Sequence, residues 1–285
     1  MVIPTRDRPE LLERCLNALA RQTLGPKQFE IIVVDDGEAR EGPAAARNEG
    51  VRRARAEIVA FTDDDTLPHR DWLKNGLAAL TGDIDVVSGP IRVEGAGSDD
   101  PQHDARNLER GEFAAGNCFC RKSVLEEVGG FDESFRMAWR EDSDLEFRLL
   151  AAGARIIHAP DAVVSHPRGP AGWLERLRQQ RKLMFDALLF RKHRKLYRER
   201  FSGRQPRSFY VIAGAFLLAM AAALAGALAP AFAALYIWHA LTASFCLKGL
   251  KPGAPPAEVL SLAAIPLVAV FWRVTGAIRF RVALV

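Results

Sequence analysis

Residues 57–65 read Glu-Ile-Val-Ala-Phe-Thr-Asp-Asp-Asp, an apolar run that ends abruptly in three carboxylates. A short continuous apolar run predicts a strand covered on both faces. The preceding sequence repeats the pattern: Met1–Pro4 reads as the tail of a strand giving way to Thr5-Arg6, and Phe29–Val34 as a strand ending in Asp35-Asp36-Gly37. Between them, Leu11, Leu12, Cys15, Leu16 and Leu19 recur at helical spacing after Pro9, and Ala44–Arg55 reads as a second helix. Trp72–Leu80 is a third helix by pattern and Val86–Ser88 a further strand. Strands alternating with helices predict an α/β domain, a mostly parallel sheet flanked by helices. In such sheets ligands bind beyond the carboxyl ends of the strands. Three successive strands ending in polar groups therefore predict one site.

Further along, residues 91–113 read as an excursion rich in Gly, Asp, Arg and Pro. Ala114–Arg121 is strand-like, and a helix over Ser123–Val128 leads into a turn at Gly129-Gly130. Trp139–Ala152 begins polar and becomes amphipathic through Leu145, Phe147, Leu149 and Leu150. Ile156-Ile157 and Val163-Val164 read as short strands before Ser165-His166-Pro167.

The chain has 285 residues and a formal net charge of +4, but the average hides three unlike regions. Residues 1–167 form the α/β domain. Residues 168–207 hold 13 Lys/Arg against 3 Asp/Glu, a local +10, which leaves −6 for the remainder. This stretch reads as basic juxtamembrane amphipathic helices. It carries no nucleic-acid-binding motif and precedes an apolar run, so anionic lipid headgroups suit it and nucleic acid is not expected as a partner. Residues 208–285 read as a membrane region. Phe209–Leu247 contains no Asp, Glu, Lys or Arg. As one helix it would measure about 58 Å at about 1.5 Å per residue, against a hydrocarbon core of about 30 Å. Two spans, near 209–228 and 231–247, fit better, with Gly226-Ala-Leu-Ala-Pro230 as the turn. Residues 258–278 read as a third span if Arg273 snorkels, or as a helix lying at the interface; spanning is slightly favoured. Lys/Arg before the first span, with Lys248 and Lys251 after the second, place both flanks on the cytoplasmic side. A multi-pass protein of the cytoplasmic (inner) membrane follows, its α/β domain facing the cytoplasm.

Cysteines at 15, 118, 120 and 246 make no disulfide framework, and no second Cys/His pair completes a zinc site; reduced, buried thiols are expected. No leader is expected either, since strand-like sequence runs directly into Arg6, Asp7 and Arg8.

Asp63-Asp64-Asp65 reads as a metal site, an exposed loop or a helix cap. Adjacent carboxylates repel one another, and a divalent cation relieves that repulsion while keeping positions open for phosphate oxygens. Taken together, VIPTRDRPELLERCLNALARQ, VVDDG, AARNEG, AFTDDDTLP, GNCFCRKSVLEEVGGFDE, REDSDLEFRLLAAGARI and VVSHP, in that order, resemble the family 2 glycosyltransferases of GT-A fold over residues 1–167.

The resemblance implies a nucleotide-sugar donor, a divalent metal (Mg2+ or Mn2+), an acceptor hydroxyl and inversion at the anomeric carbon. It implies a nucleotide-binding turn from Pro4, Thr5 and Arg6, and a base contact from Asp36. Arg47 would touch the nucleotide; by itself it also reads as a solvated helix residue. Asp63 and Asp64 would line the donor, with Asp65 the direct metal ligand, Asp63 opening the set, and His166 a late ligand to metal or diphosphate. The triplet lies one residue closer to Pro68 than in many relatives. Gly116 and Asn117 would line the donor sugar. Within the ED pair of Glu141 and Asp142, Asp142 would be the catalytic base, with Asp144 its rival and a carboxylate favoured by the helix dipole the plainer reading. Trp139 would stack on an acceptor ring or simply pack. The QxxRW motif of processive polysaccharide synthases has no match around Glu175–Met184, which implies single additions. Membrane attachment suggests a lipid-linked acceptor and a role in cell-envelope glycan or glycolipid synthesis.

Competing readings fare less well. A dinucleotide enzyme would carry GxGxxG after its first strand, and a sugar nucleotidyltransferase a Gly-rich basic loop where this chain has PTRDRPE. A non-catalytic nucleotide-sugar-binding membrane protein remains as the third alternative.

Overall fold

A computed structural model describes residues 1–37, 41–94, 113–167, 172–201, 207–249 and 255–283. The chain divides into two units, Met1–Gly169 and Pro170–Val285.

The first unit is built on a six-stranded sheet. Its strands are β1 (Val2–Thr5), β2 (Ile32–Asp35), β3 (Ile58–Thr62), β5 (Val86–Ser88), β7 (Asn117–Arg121) and β8 (Ile156–His158), in the order β2-β1-β3-β7-β5-β8. β1 runs parallel to β2 and β3, and β5 parallel to β8. The sheet is less parallel than the strand–helix alternation suggested, because β7 runs antiparallel to both β3 and β5. Its direction has a consequence: Asn117, the first residue of β7, pairs with Thr62, the last of β3. The stretch before β7 therefore opens at the same edge as the carboxylate triplet. A second sheet, ordered β4-β9-β6, joins β4 (Leu67–Pro68), β9 (Val164–Pro167) and β6 (Ile91–Glu94). Part of the excursion expected over 91–113 is thus strand; most of the rest lies outside the described residues.

Helices α1 (Pro9–Leu19), α2 (Pro43–Arg53), α3 (Trp72–Ala79), α4 (Lys122–Glu127) and α5 (Glu141–Ala151) follow the apolar periodicity. Apolar side chains bury on both faces of the sheet. One cluster gathers Val2, Phe61, Cys118, Cys120 and Leu145, the other Ile3, Cys15, Leu19, Trp72 and Phe119. Alternate residues of β7 thus serve opposite faces, as a strand period of two requires. All four cysteines are free and buried. Burial, with the Asp63 charge nearby, pushes the Cys15 thiol up to about 12, so it stays protonated and unreactive.

The second unit is helical. The basic stretch forms α6 (Trp173–Gln179), a 3-10 turn over Gln180–Leu183, α7 (Met184–Lys192) and α8 (Arg194–Phe201). Then come α9 (Arg207–Leu224), α10 (Leu228–Gly249) and α11 (Pro256–Arg279), each long and apolar enough to cross a membrane. Leu217, Leu218 and Leu224 of α9 and Phe232 and Tyr236 of α10 are exposed, a pattern that only an apolar surrounding satisfies when it runs along whole helices. The turn sits where Gly226 predicted it. Gly226 has φ +72, its N–H donates to the Ala223 carbonyl, and the Ala227 N–H donates to the Ala222 carbonyl. This left-handed cap satisfies the last carbonyls of α9 where no side chain could.

Candidate active site

Two arginines hold the carboxylates at the end of β3. Asp63, Asp64 and Asp65 leave β3 in three directions. Asp64 is fully buried; its Oδ2 accepts from the Thr5 hydroxyl at 2.7 Å, and its Oδ1 lies 2.9 Å from Arg8 Nη2. Asp65 faces outward, with Oδ2 2.9 Å from Arg8 Nη1 and Oδ1 3.5 Å from His166 Nε2. Asp63 turns the other way, its Oδ1 accepting from Arg47 Nη2 at 2.7 Å. The same guanidinium donates through Nη1 to Glu141 Oε1 at 3.1 Å and lies over the Phe131 ring. Arg47 thus joins the triplet to the ED pair.

Electrostatics follow the burial. Burial pulls the Arg47 pKa down, but Asp63 and Glu141 more than offset this and raise it, so the guanidinium stays charged. Burial, reinforced by the Asp142 charge, lifts Glu141 to about 7, and Arg47 limits the rise. Glu141 Oε2 and His166 Nδ1 are buried with no hydrogen-bond partner. Asp142 is also raised by burial, while the Ser143 amide donates to its Oδ1 at 2.7 Å and draws it back. Burial alone would raise Asp65, yet His166 and Arg8 hold it below the usual carboxylate range; Asp65 in turn raises His166.

Backbone strain marks the same place. Arg140, immediately before the ED pair, has φ +74, and Asp7, between Arg6 and Arg8, has φ +53. Non-glycine residues in this region cost about 1–2 kcal/mol each. The Arg140 guanidinium lies 4.5 Å from the Trp139 ring, so the indole that was expected to stack or pack carries a cation on its face.

Several residues take roles other than those expected. Asn117 is bound within the fold: its Oδ1 accepts from the Trp72 indole at 2.7 Å, and its Nδ2 donates to the carbonyls of Pro90 and Ala162. Both donors of that amide, and one lone pair of its oxygen, are spent inside the fold. Asp36 is held by the backbone, accepting from the amides of Glu41 at 2.7 Å and Gly42 at 3.0 Å, with Arg6 3.8 Å away. It satisfies donors at the start of α2, where Gly42, at φ +101, presses on the Arg136 carbonyl too closely for any side chain. Asp64 and Thr5 spend themselves on each other, and Pro4 is buried in β1. Asp63 is turned from Asp65 toward Arg47. Gly116 does allow a close approach, but the group it admits is the Asp63 carboxylate, 2.6 Å from where a Cβ would sit. Asp144 is fully buried and bound to Arg148 at 2.8 Å, so the rival base is a structural ion pair. Arg8 is the residue that sequence reasoning missed. Its sequence signal was only partial: a cation three residues beyond a strand end, with nothing local to pair it with the triplet.

No three His, Cys, Asp or Glu side chains among the described residues are grouped as a complete metal site. Asp65 and His166 nonetheless offer one oxygen and one nitrogen at a common point. That partial set fits a cation that keeps open positions for phosphate oxygens.

The chain is similar to known proteins along its length. The model of glycosyl transferase family 2 matches residues 1–141, and that of glycosyl transferase family group 2 matches 102–272, more than half of the chain. It is 27% identical over 209 residues to glycosyltransferase AglE of Haloferax volcanii, covering 61% of this chain and 68% of that one. It is 30% identical over 205 residues to the pre-mycofactocin glycosyltransferase of Mycobacterium tuberculosis, covering 58% of this chain and 42% of that relative. Among solved structures, the mannosyltransferase PcManGT of Pyrobaculum calidifontis, in complex with GDP-Man and Mn2+, aligns over 95% of this chain and 85% of its own, with a TM-score of 0.58 and 22% identity. That likeness establishes the GT-A architecture. Family matches, relatives and fold agree: the chain belongs to the family 2 glycosyltransferases.

Proposed function

We propose that this glycosyltransferase is metal-dependent and inverting, and that it moves a sugar from a nucleotide-sugar donor to an acceptor hydroxyl at the cytoplasmic face of the membrane. The observation that carries the reading is the Arg47 bridge, which fastens the donor-side triplet to the ED pair, Arg47 and Glu141 lying 94 residues apart in sequence. The Pyrobaculum structure, a complex with GDP-Man and Mn2+, supports a metal. Held here by Asp65 and His166, a divalent cation would supply Lewis-acid stabilisation of the departing diphosphate.

Asp142 is the base. An acceptor hydroxyl attacks well only as its proton leaves, and an ionised carboxylate within hydrogen-bond reach can take it. Asp142 is part-exposed at the first turn of α5, while Glu141 beside it is buried and committed to Arg47. The roles divide accordingly: Glu141 positions, Asp142 removes the proton. Attack from that side opposite the leaving group inverts the anomeric centre with no covalent intermediate. Arg8 and Arg47 keep the remaining carboxylates from repelling the diphosphate. Three apolar helices and the basic stretch before them support membrane attachment, with the flanks cytoplasmic. A lipid-linked acceptor and a role in envelope glycan or glycolipid synthesis follow from that attachment.

The test is a panel of nucleotide sugars offered to purified full-length protein with Mn2+ or Mg2+, scoring released nucleoside diphosphate and the configuration of the product. Asp142→Asn is expected to bind donor and lose about 10²–10⁴-fold in turnover. Full turnover in that variant, or a retained configuration, would sink the assignment.

A further inference from the structure

We infer that α11 lies in the plane of the cytoplasmic leaflet and does not cross the bilayer, its outer face resting on lipid acyl chains. This rests on the membrane attachment proposed above and is independent of the enzymatic reading. Length decides nothing, because 24 residues measure about 36 Å and could span. The contacts decide.

The basic segment runs alongside α11 from end to end. Near its start, Arg176 pairs with Glu258 at 2.9 Å and the Ser261 hydroxyl donates to the Trp173 carbonyl. Midway, Arg181 lies over the Trp272 ring. Toward its end, Asp186 pairs with Arg273 at 3.1 Å, both nearly buried, and Phe185 meets Phe280. Gly276 has no room for a Cβ against the Met184 carbonyl, so the two backbones touch. A spanning α11 would drag Arg176, Arg178, Arg181 and Lys182 through hydrocarbon beside it, where cations are costly.

Two points of α11, Leu262 and Arg273, also meet the same side of the α9–α10 hairpin. Leu262 packs against Gly249, at the last turn of α10, 3.7 Å from where its Cβ would be. Arg273 hydrogen-bonds Tyr210, in the first turn of α9. Those two turns are the ends away from Gly226, hence the cytoplasmic ends. A crossing helix that starts at Pro256 would bring Arg273 about 25 Å deeper, level with the far turn.

The outer face completes the picture. Leu260, Phe271, Val274 and Ile278 are exposed and fall on one side of the helix, while buried Leu262, Pro266, Ala269 and Gly276 fall on the other. An apolar stripe facing out, with exposed Arg178, Arg181, Arg191 and Arg279 in the same assembly, is the chemistry of an interfacial helix over anionic headgroups.

Single cysteines read out the topology. The full chain would carry one at Ala225, in the turn, one added after Val285, or one at Arg53, on the exposed side of α2, each labelled with a membrane-impermeant maleimide in sealed vesicles of either orientation. The end of the chain is expected to label with position 53 and opposite to position 225. Labelling of the chain end together with 225 overturns the in-plane helix while leaving membrane attachment intact. Recovery of the chain free of membranes overturns both. Nitroxides at Leu260, Phe271 and Ile278 should report equal, shallow depths in phosphatidylglycerol-containing bilayers; a deep Phe271 between shallow neighbours overturns the inference.

Discussion

Arg47 Nη1 stands 3.1 Å from Glu141 Oε1, although the two residues lie 94 positions apart in sequence. Both groups are almost wholly buried. Removing one partner of a buried pair leaves a charge without solvent or counter-ion, which costs about 3–5 kcal/mol. Arg47→Met is therefore expected to lower the unfolding temperature of the detergent-solubilised chain sharply, whereas Arg52→Gln, at its exposed pair with Glu49, should lower it much less. Equal, small shifts for both would contradict the bridging role.

Stability should fall with pH because of Glu141. Its folded value, about 7, lies above its ordinary 4.5, so the folded chain keeps a proton that the unfolded chain releases. That contribution is complete below about pH 4.5 and is lost as pH rises through about 7. Glu141→Gln cannot titrate, and its unfolding temperature should decline less across that window. Parallel curves for the two proteins would refute the buried proton.

Asn117 should matter for stability more than for donor affinity. Asn117→Ala leaves the Trp72 indole and two buried carbonyls unsatisfied, each worth about 1–3 kcal/mol. Thermal unfolding is expected to drop by several degrees. A rise in donor KM with unchanged unfolding would return Asn117 to the sugar.

His166→Ala should raise the Mn2+ concentration that half-activates the enzyme by at least about tenfold, the lower bound for losing even an outer-shell partner. Turnover at saturating metal should recover in part. An unchanged metal titration would remove His166 from the site.

The framework was readable because it rests on local pattern. Apolar runs gave β1, β2 and β3, leucine spacing gave α1, and an uncharged stretch with a central glycine gave the α9–α10 hairpin. What escaped depends on partners distant in sequence. No spacing rule says that β7 enters antiparallel, since strand direction is set by pairing with β3 and β5, distant in sequence. Asn117 and Asp36 bind the fold's own groups, and a polar residue at a strand end is the same letter whether it faces substrate or satisfies the backbone. Arg8 escaped for the converse reason: its work is to neutralise Asp64 and Asp65, which local sequence cannot assign to any one cation.

Arg47 sits on α2 among Ala44, Ala45 and Ala46, whose small side chains let that helix lie close on the sheet. The guanidinium is thus delivered by the same packing event that closes the core. Selection for foldability alone would keep Arg47, Asp63 and Glu141 together, so the charge pattern could outlast the chemistry in a lineage that had abandoned transfer. Their presence in a sequence is then a record of architecture as well as of chemistry, and the part-exposed Asp142 beside them is the group that tells the two apart.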